Sequence, residues 1–190
     1  MKYKILFAAI ICTAFTSIFA QKNTFYSQYQ QDHYVYEHIF KGKTDGVFVD
    51  IGAHDGTTFS NTRFFEETMN WTGICVEPLP EIFDKLKESR NCICINGCIF
   101  ADKKTVPFLK ISGYAEMLSG IIENYDPMHL ARIQSEIAAY GGKSEVIEIK
   151  CFGLTELLSE NNITHVDFLS IDTEGGEFAI LKSIDYSKID

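Results

Sequence analysis

The sequence is short of concentrated positive charge. Its 17 lysines and arginines are outnumbered by 26 aspartates and glutamates, giving a formal net charge of −9. The basic residues gather only in short pieces, such as Lys85 with Lys87 and Lys103 with Lys104. That balance repels phosphate backbones and argues against nucleic acid as a partner. No CxxC pair occurs among the cysteines, so a zinc site has no sequence support and no metal is expected. No GxGxxG follows an apolar run, which removes the pyrophosphate cradle that an NAD-type oxidoreductase needs. Repeats and low-complexity stretches are also missing. What is there is a chain of 190 residues, 46% hydrophobic, enough to bury the core of one ordinary domain.

The first 20 residues read as a targeting segment. Lys2 and Lys4 precede an apolar run over residues 5–20, broken only by Cys12, Thr13, Thr16 and Ser17, and polar Gln21, Lys22 and Asn23 follow. A charged start, an apolar middle and small Ala20 at the end predict a cleaved export signal, and with it an exported or secretory location. The run falls short of the roughly 20 apolar residues of a spanning helix, so an uncleaved membrane anchor is the second choice. A cytosolic N-terminal helix is the third. Loss of Cys12 with the signal leaves five cysteines. Cys92, Cys94 and Cys98 lie close together, but Cys92 and Cys94 alternate with Ile93 and Ile95, the period of a buried strand, and the five remaining thiols are expected to be free and structural.

From there strands and helices alternate. Residues 32–40 carry Val35, Tyr36, Ile39 and Phe40 at helical spacing. An apolar run at 47–51 ends at Gly52 and suits a fully buried parallel strand. A helix is expected over 61–69, capped by Ser60, then a strand at 73–77 stopped by Pro78. A helix opening at Pro80 should bury Ile82, Phe83 and Leu86, and a third strand lies within 91–100. Next comes an insertion: a strand at 105–111, a segment at 115–122 after a turn, and a helix begun by Asp126-Pro127 and ended by Gly141-Gly142. A strand at 144–151, a helix at 154–160, a buried strand at 166–171 and a helix around Phe178, Ile180 and Leu181 complete the chain. This alternation predicts an α/β fold with a parallel sheet flanked by helices. Sequential right-handed crossovers put its strands in the order third, second, first, fourth. The sheet is expected to be incomplete on its C-terminal side, since the strand at 166–171 would otherwise be left as a long apolar edge.

Three strand ends carry acids. Asp50-Ile51-Gly52-Ala53-His54-Asp55-Gly56 follows the first strand directly. Gly52 and Gly56 lack a Cβ and allow close backbone approach, and Asp50 can accept a hydrogen bond from an ammonium group. His54 is a candidate base, although a loop histidine beside Asp55 can equally well be bonded to that neighbour. Glu77 stands at the end of the second strand, where a carboxylate accepts from ribose hydroxyls. Asp172-Thr173-Glu174-Gly175-Gly176-Glu177 follows the fourth strand. Asp172 and Glu174 there are the other candidate catalytic acids, while Glu177 with Thr173 fits a capped helix start.

With these segments the chain resembles the FkbM family of S-adenosylmethionine (SAM)-dependent methyltransferases. The likeness runs through residues 47–56, Ser60-Asn61-Thr62, residues 73–78 and above all 169–177, and covers residues 28–190. It implies a Rossmann-like methyltransferase fold over 21–190, SAM as cofactor, and methylation of a hydroxyl on a sugar or secondary metabolite. By position, Asp50, Gly52 and Gly56 match the family's cofactor loop, Glu77 its ribose acid, and Asp172 and Glu174 its signature acids. The partner so implied is a small-molecule or glycan acceptor. The opening Ser27-Gln28-Tyr29-Gln30-Gln31-Asp32 resembles a subgroup that includes animal proteins of secretory trafficking, so a secreted or anchored, non-catalytic binding module is the alternative reading.

Overall fold

The computed structural model describes residues 23–101 and 105–189; the predicted export signal lies outside the described residues. Among these, no helix is long and apolar enough to cross a membrane.

Four strands, β1 (Val47–Ile51), β2 (Thr72–Glu77), β3 (Ile93–Asn96) and β8 (Phe168–Ile171), form one sheet in the order β3-β2-β1-β8. Every pairing is parallel, as the alternation of elements predicts. Side chains along β1 divide between the two faces with the two-residue period of a strand. Val49 and Ile51 pack with Ile74, Val76, Leu154, Leu157, Leu158 and Ile180, under α5 (Leu154–Glu160) and α6 (Glu177–Ser183). Phe48 packs on the opposite face with Phe64, Phe65, Trp71, Cys75 and Leu86, under α2 (Arg63–Met69) and α3 (Pro80–Ser89). With both faces of β1 covered, its near-continuous burial follows.

The N-terminal lead-in splits into α1 (Gln31–Val35) and a π-helical turn over Tyr36–Phe40. Val35, Tyr36 and Phe40 reach the aromatic core, whereas Ile39 is exposed. Fully buried Asp32 anchors the segment by accepting hydrogen bonds from the Tyr26 and Ser27 amides and the Ser27 hydroxyl. α2 starts at Arg63 with Thr62, not Ser60, at its N-cap; Ser60 Oγ stands just before it and accepts from the Arg63 amide at 3.1 Å. In α3, Ile82 and Leu86 are buried and Phe83 only partly so.

The expected third strand breaks in two. Gly97, at φ +151°, turns the chain so that β3 stays on the first sheet and β4 (Cys98–Ile99) joins a second one. β3 is therefore an edge strand with Ile93 exposed, not the buried strand that the Cys/Ile alternation suggests. The second sheet, β4-β7-β5-β6, contains the insertion. Its frame is the antiparallel pairing of β5 (Thr105–Ser112) with β7 (Lys143–Phe152), from Thr105 opposite Lys150 to Ser112 opposite Lys143. The segment at 115–122 becomes a 3-10 turn (Glu116–Leu118) and two-residue β6 (Gly120–Ile121), not a longer strand. α4 (Pro127–Tyr140) starts at Asp126, whose carboxylate accepts from the Met128 and His129 amides at 2.7 and 2.9 Å. Of Leu130, Ile133 and Ile137, spaced along one face of this helix, only Ile133 is buried.

The cysteine expectation needs correction. Cys98 and Cys151 face each other across the β4–β7 pair and form a disulfide. Their 53-residue separation hid the pair, because spacing alone cannot bring β4 beside β7. Cys75, Cys92 and Cys94 are free, as expected. Replacing both Cys98 and Cys151 by serine should lower the unfolding free energy by about 4 kcal/mol or somewhat less, the chain-entropy value for such a loop. Urea denaturation measures this directly; an unchanged midpoint would mean that the bridge contributes nothing.

Candidate functional site

The carboxyl ends of β1, β2 and β8 open on one cavity of about 250 Å³. Asp50, Gly52, His54, Glu77, Asp172 and Glu174 all line it; Gly56 does not. Ligands of open α/β sheets bind at this end of the strands.

Glu77 is the most tightly held of these acids. It is 5% exposed, and its two oxygens accept from the Leu79 amide at 2.9 Å and the His54 amide at 3.0 Å. Burial pushes its pKa up to about 7 against those two hydrogen bonds, with Glu116 and Glu81 adding repulsion. Pro78 ends the strand here and leaves the chain free to bring the Leu79 amide back to the carboxylate. Asp50 lies on the face of β1 that carries Phe48, and its Oδ2 accepts from the Thr62 hydroxyl at 2.7 Å. Its pKa is also raised by burial, which outweighs the Thr62 hydrogen bond and the nearby Arg90 charge.

The loop after β1 is fastened from below by a residue that the sequence gave no reason to single out. Arg90, at the C-terminal end of α3, is buried; its Nη1 donates to the Gly56 carbonyl and Ser60 Oγ, and its Nη2 to Thr62 Oγ1. Its Nε donates to Glu66 at 2.6 Å, so one guanidinium joins the loop to α2. Gly56 belongs to this underside: a Cβ there would meet Arg90, Leu86 and Ser89 within 2.7 Å. Gly52, at φ +85°, makes room for the backbone, since a Cβ would lie 1.9 Å from the Asp172 carbonyl oxygen. A side chain at 52 would thus break the β1–β8 junction before it met any ligand.

His54 does not hydrogen-bond Asp55. Its Nδ1 stands 3.6 Å from Asp55, while Nε2 lies 3.2 Å from Glu116 on the insertion's 3-10 turn. Asp55 is occupied otherwise: its burial is outweighed by the amides and hydroxyls of Thr57 and Thr58, which hold its pKa well below the usual range. Glu116 is a site residue that sequence reasoning missed, as no local pattern marks a lone acid in a turn. The insertion supplies more of the wall: Leu118 from the 3-10 turn, Ile121 from β6 and Phe108 from β5 line an apolar side, together with Leu79 and Ile99.

On the far side of the cavity the loop after β8 carries the signature acids. Burial raises the pKa of Asp172, and Glu177 adds to it; burial and then Asp172 do the same for Glu174. Glu177, the first residue of α6, points back into the preceding loop, accepting from the Thr173 amide and hydroxyl and the Gly175 amide. Gly176 is the N-cap and no side chain caps it, so the capped start expected from Thr173 and Glu177 is replaced by a tied loop. Gly175, at φ +116°, lets this loop touch the insertion, for a Cβ there would stand 2.7 Å from the Asn124 carbonyl oxygen. Among the described residues no cluster could hold a metal ion.

The arrangement is a cavity with one apolar wall, a buried carboxylate held by two amides, and a pair of acids from the loop after β8. A family model for the Methyltransferase FkbM domain matches residues 50–190, from the acid at the end of β1 through the whole insertion and the Asp172–Glu177 run. The lead-in at 28–49 lies outside that match. No curated protein and no solved structure matches the chain. With the larger part of its length covered, the chain belongs to the Methyltransferase FkbM domain family and is by that membership a methyltransferase.

Proposed function

We propose that the protein transfers a methyl group from SAM to a hydroxyl of a small-molecule or glycan acceptor. The observation that carries this reading is the convergence of Asp50, Glu77 and Asp172, from three adjacent parallel strands, on one cavity. The chain's own residues fit the cofactor. Glu77 has both oxygens fixed by backbone amides and its remaining lone pairs free for two ribose hydroxyls. Leu79, Ile99 and Phe108 offer an apolar slot for a base, and the Gly52 backbone with Asp50 offers acceptors for an ammonium. No phosphate-binding turn is present, and SAM has no phosphates.

When bound, SAM supplies an electrophilic methyl group on a sulfonium. The protein's part is to hold donor and acceptor in line and to take the hydroxyl proton. Asp172 and Glu174 line the cavity with pKa values raised by burial, which moves them toward the range of useful bases. His54 is the third candidate, and its Nε2 is already engaged by Glu116.

The second reading, an exported binding module without turnover, has one observation in its favour: the Cys98–Cys151 disulfide suits an oxidising compartment. Calorimetry with SAM on the chain lacking residues 1–20 separates the two, since a module without turnover has no need of the cofactor.

Glu77→Ala should weaken SAM binding by about 1.5–3 kcal/mol, the range for hydrogen bonds to a charged group. Unchanged affinity with the fold intact would remove Glu77 from the site. The ionised carboxylate is the better acceptor, so affinity should rise with pH as Glu77 loses its proton around pH 7. Binding at pH 6 should be about tenfold weaker than at pH 8, following the ionised fraction. In Glu77→Gln that slope should flatten.

A further inference from the structure

We propose that His129, on the first turn of α4, is a positioning residue for methyl transfer: it holds the Glu174 carboxylate at the cavity, ready to take the proton of an acceptor hydroxyl. This rests on the methyl-transfer reading above and assigns the base within it.

His129 belongs to the insertion, far in sequence from the acids it serves. Its Nε2 is buried, makes no hydrogen bond, and stands 3.5 Å from Glu174 Oε2. The ring has little freedom to turn elsewhere. It stacks on Tyr125 with centroids 4.8 Å apart and planes 18° from parallel, and the Tyr125 hydroxyl is tied to the Leu118 carbonyl at 2.6 Å. The His129 backbone is fixed by the Asp126 cap.

Glu174 is placed with equal care. It adopts φ +56°, a left-handed conformation that costs a non-glycine residue of order 1 kcal/mol or more and persists only where the surroundings impose it. The imposition comes from the next residues, since Gly175 and Gly176 pack against Asn124, two positions before Asp126. The insertion therefore sets both the loop that presents Glu174 and the imidazole that faces it.

The charged groups around Glu174 are Asp172 and Glu177 on its own loop and His129 and Arg132 on α4, with the Tyr125 phenol beside them. Asp172 and Glu177 oppose its ionisation, while His129 and Arg132 favour it. Arg132 is shared, its Nε bonded to Glu136 at 2.8 Å. His129 makes no such bond at Nε2. Of the two signature acids, Glu174 is the one with basic side chains against it, the His129 imidazole at 3.5 Å and the Arg132 guanidinium, whereas Asp172 feels burial and Glu177. Glu174 is thus the acid kept ready to accept a proton. In the step itself the hydroxyl proton passes to a Glu174 oxygen and the O–H electron pair stays on the acceptor oxygen.

The test is a carbon-13 NMR titration of the Glu174 carboxyl in the chain without residues 1–20, its signal assigned by its loss in Glu174→Gln. In His129→Gln, which removes the basic nitrogen 3.5 Å from the carboxylate, the midpoint should rise. His129→Lys, which keeps a basic nitrogen without the stacked ring, should bring it back toward the wild-type value. An unmoved midpoint in His129→Gln, or the same rise in both variants, overturns the assignment. SAM affinity, measured by calorimetry on the same samples, should be unchanged by His129→Gln. Failure of the wild-type chain to bind SAM would instead strike the methyl-transfer reading and leave the titration result standing.

Discussion

The guanidinium of Arg90 is the constraint on which the site is built. Burying such a charge costs several kcal/mol unless every donor finds a partner. Here four of its five donors are hydrogen-bonded, and the face of Phe48 lies 5.4 Å from the charge. Its partners are the loop after β1, the cap of α2 and Glu66, whose second oxygen takes the Asn91 amide. Thr62 passes the contact on to Asp50, because the hydroxyl that accepts from Arg90 donates to the carboxylate. The loop after β1, with positive φ at Gly52, His54, Gly56 and Phe59, has little local preference for its shape. Arg90 fixes it from underneath, which leaves its upper side free to meet a ligand.

Two separate pieces of structure meet over that loop. The parallel sheet brings the acids at its strand ends, and the insertion sheet brings the apolar wall, Glu116 and α4. Their contacts include His54 with Glu116, Gly97 at the divergence of β3 and β4, Gly175 with Asn124, His129 with Glu174, and the packing of Leu79 and Ile82 on Val106 and Phe108. The disulfide lies at the second of these, and Cys98 itself lines the cavity. The bridge therefore ties β7, the long strand of the insertion, to the chain that leaves the parallel sheet.

Much of this was legible in the sequence because it is local. Buried parallel strands announce themselves as apolar runs closed by Gly or Pro, so β1, β2 and the strand order followed from β–α alternation. The acids Asp50, Glu77, Asp172 and Glu174 stand next to those runs and could be named from them. What was not legible depends on distant pairing. Cys98 finds Cys151 only through β4 and β7, and Glu116 finds His54 only through the fold of the insertion. Arg90 looked like any basic residue at a helix end. Gly56 shows the limit from the other side: its place in the motif suggested a ligand, and its neighbours turn out to be α3 side chains.

The two glycines of the Glu-Gly-Gly run invite an account in terms of chemistry, and the structure gives one in terms of clearance. Gly175 has no side chain because the Asn124 carbonyl occupies the place of its Cβ, and the Gly176 Cβ would meet the Asn124 amide at 2.8 Å. The run is the imprint of the insertion on the core fold. Grafting a different segment between β4 and α5 would therefore fail if the run were kept unchanged. The loop after β8 and the segment around Asn124 form one exchangeable module, to be moved or redesigned together.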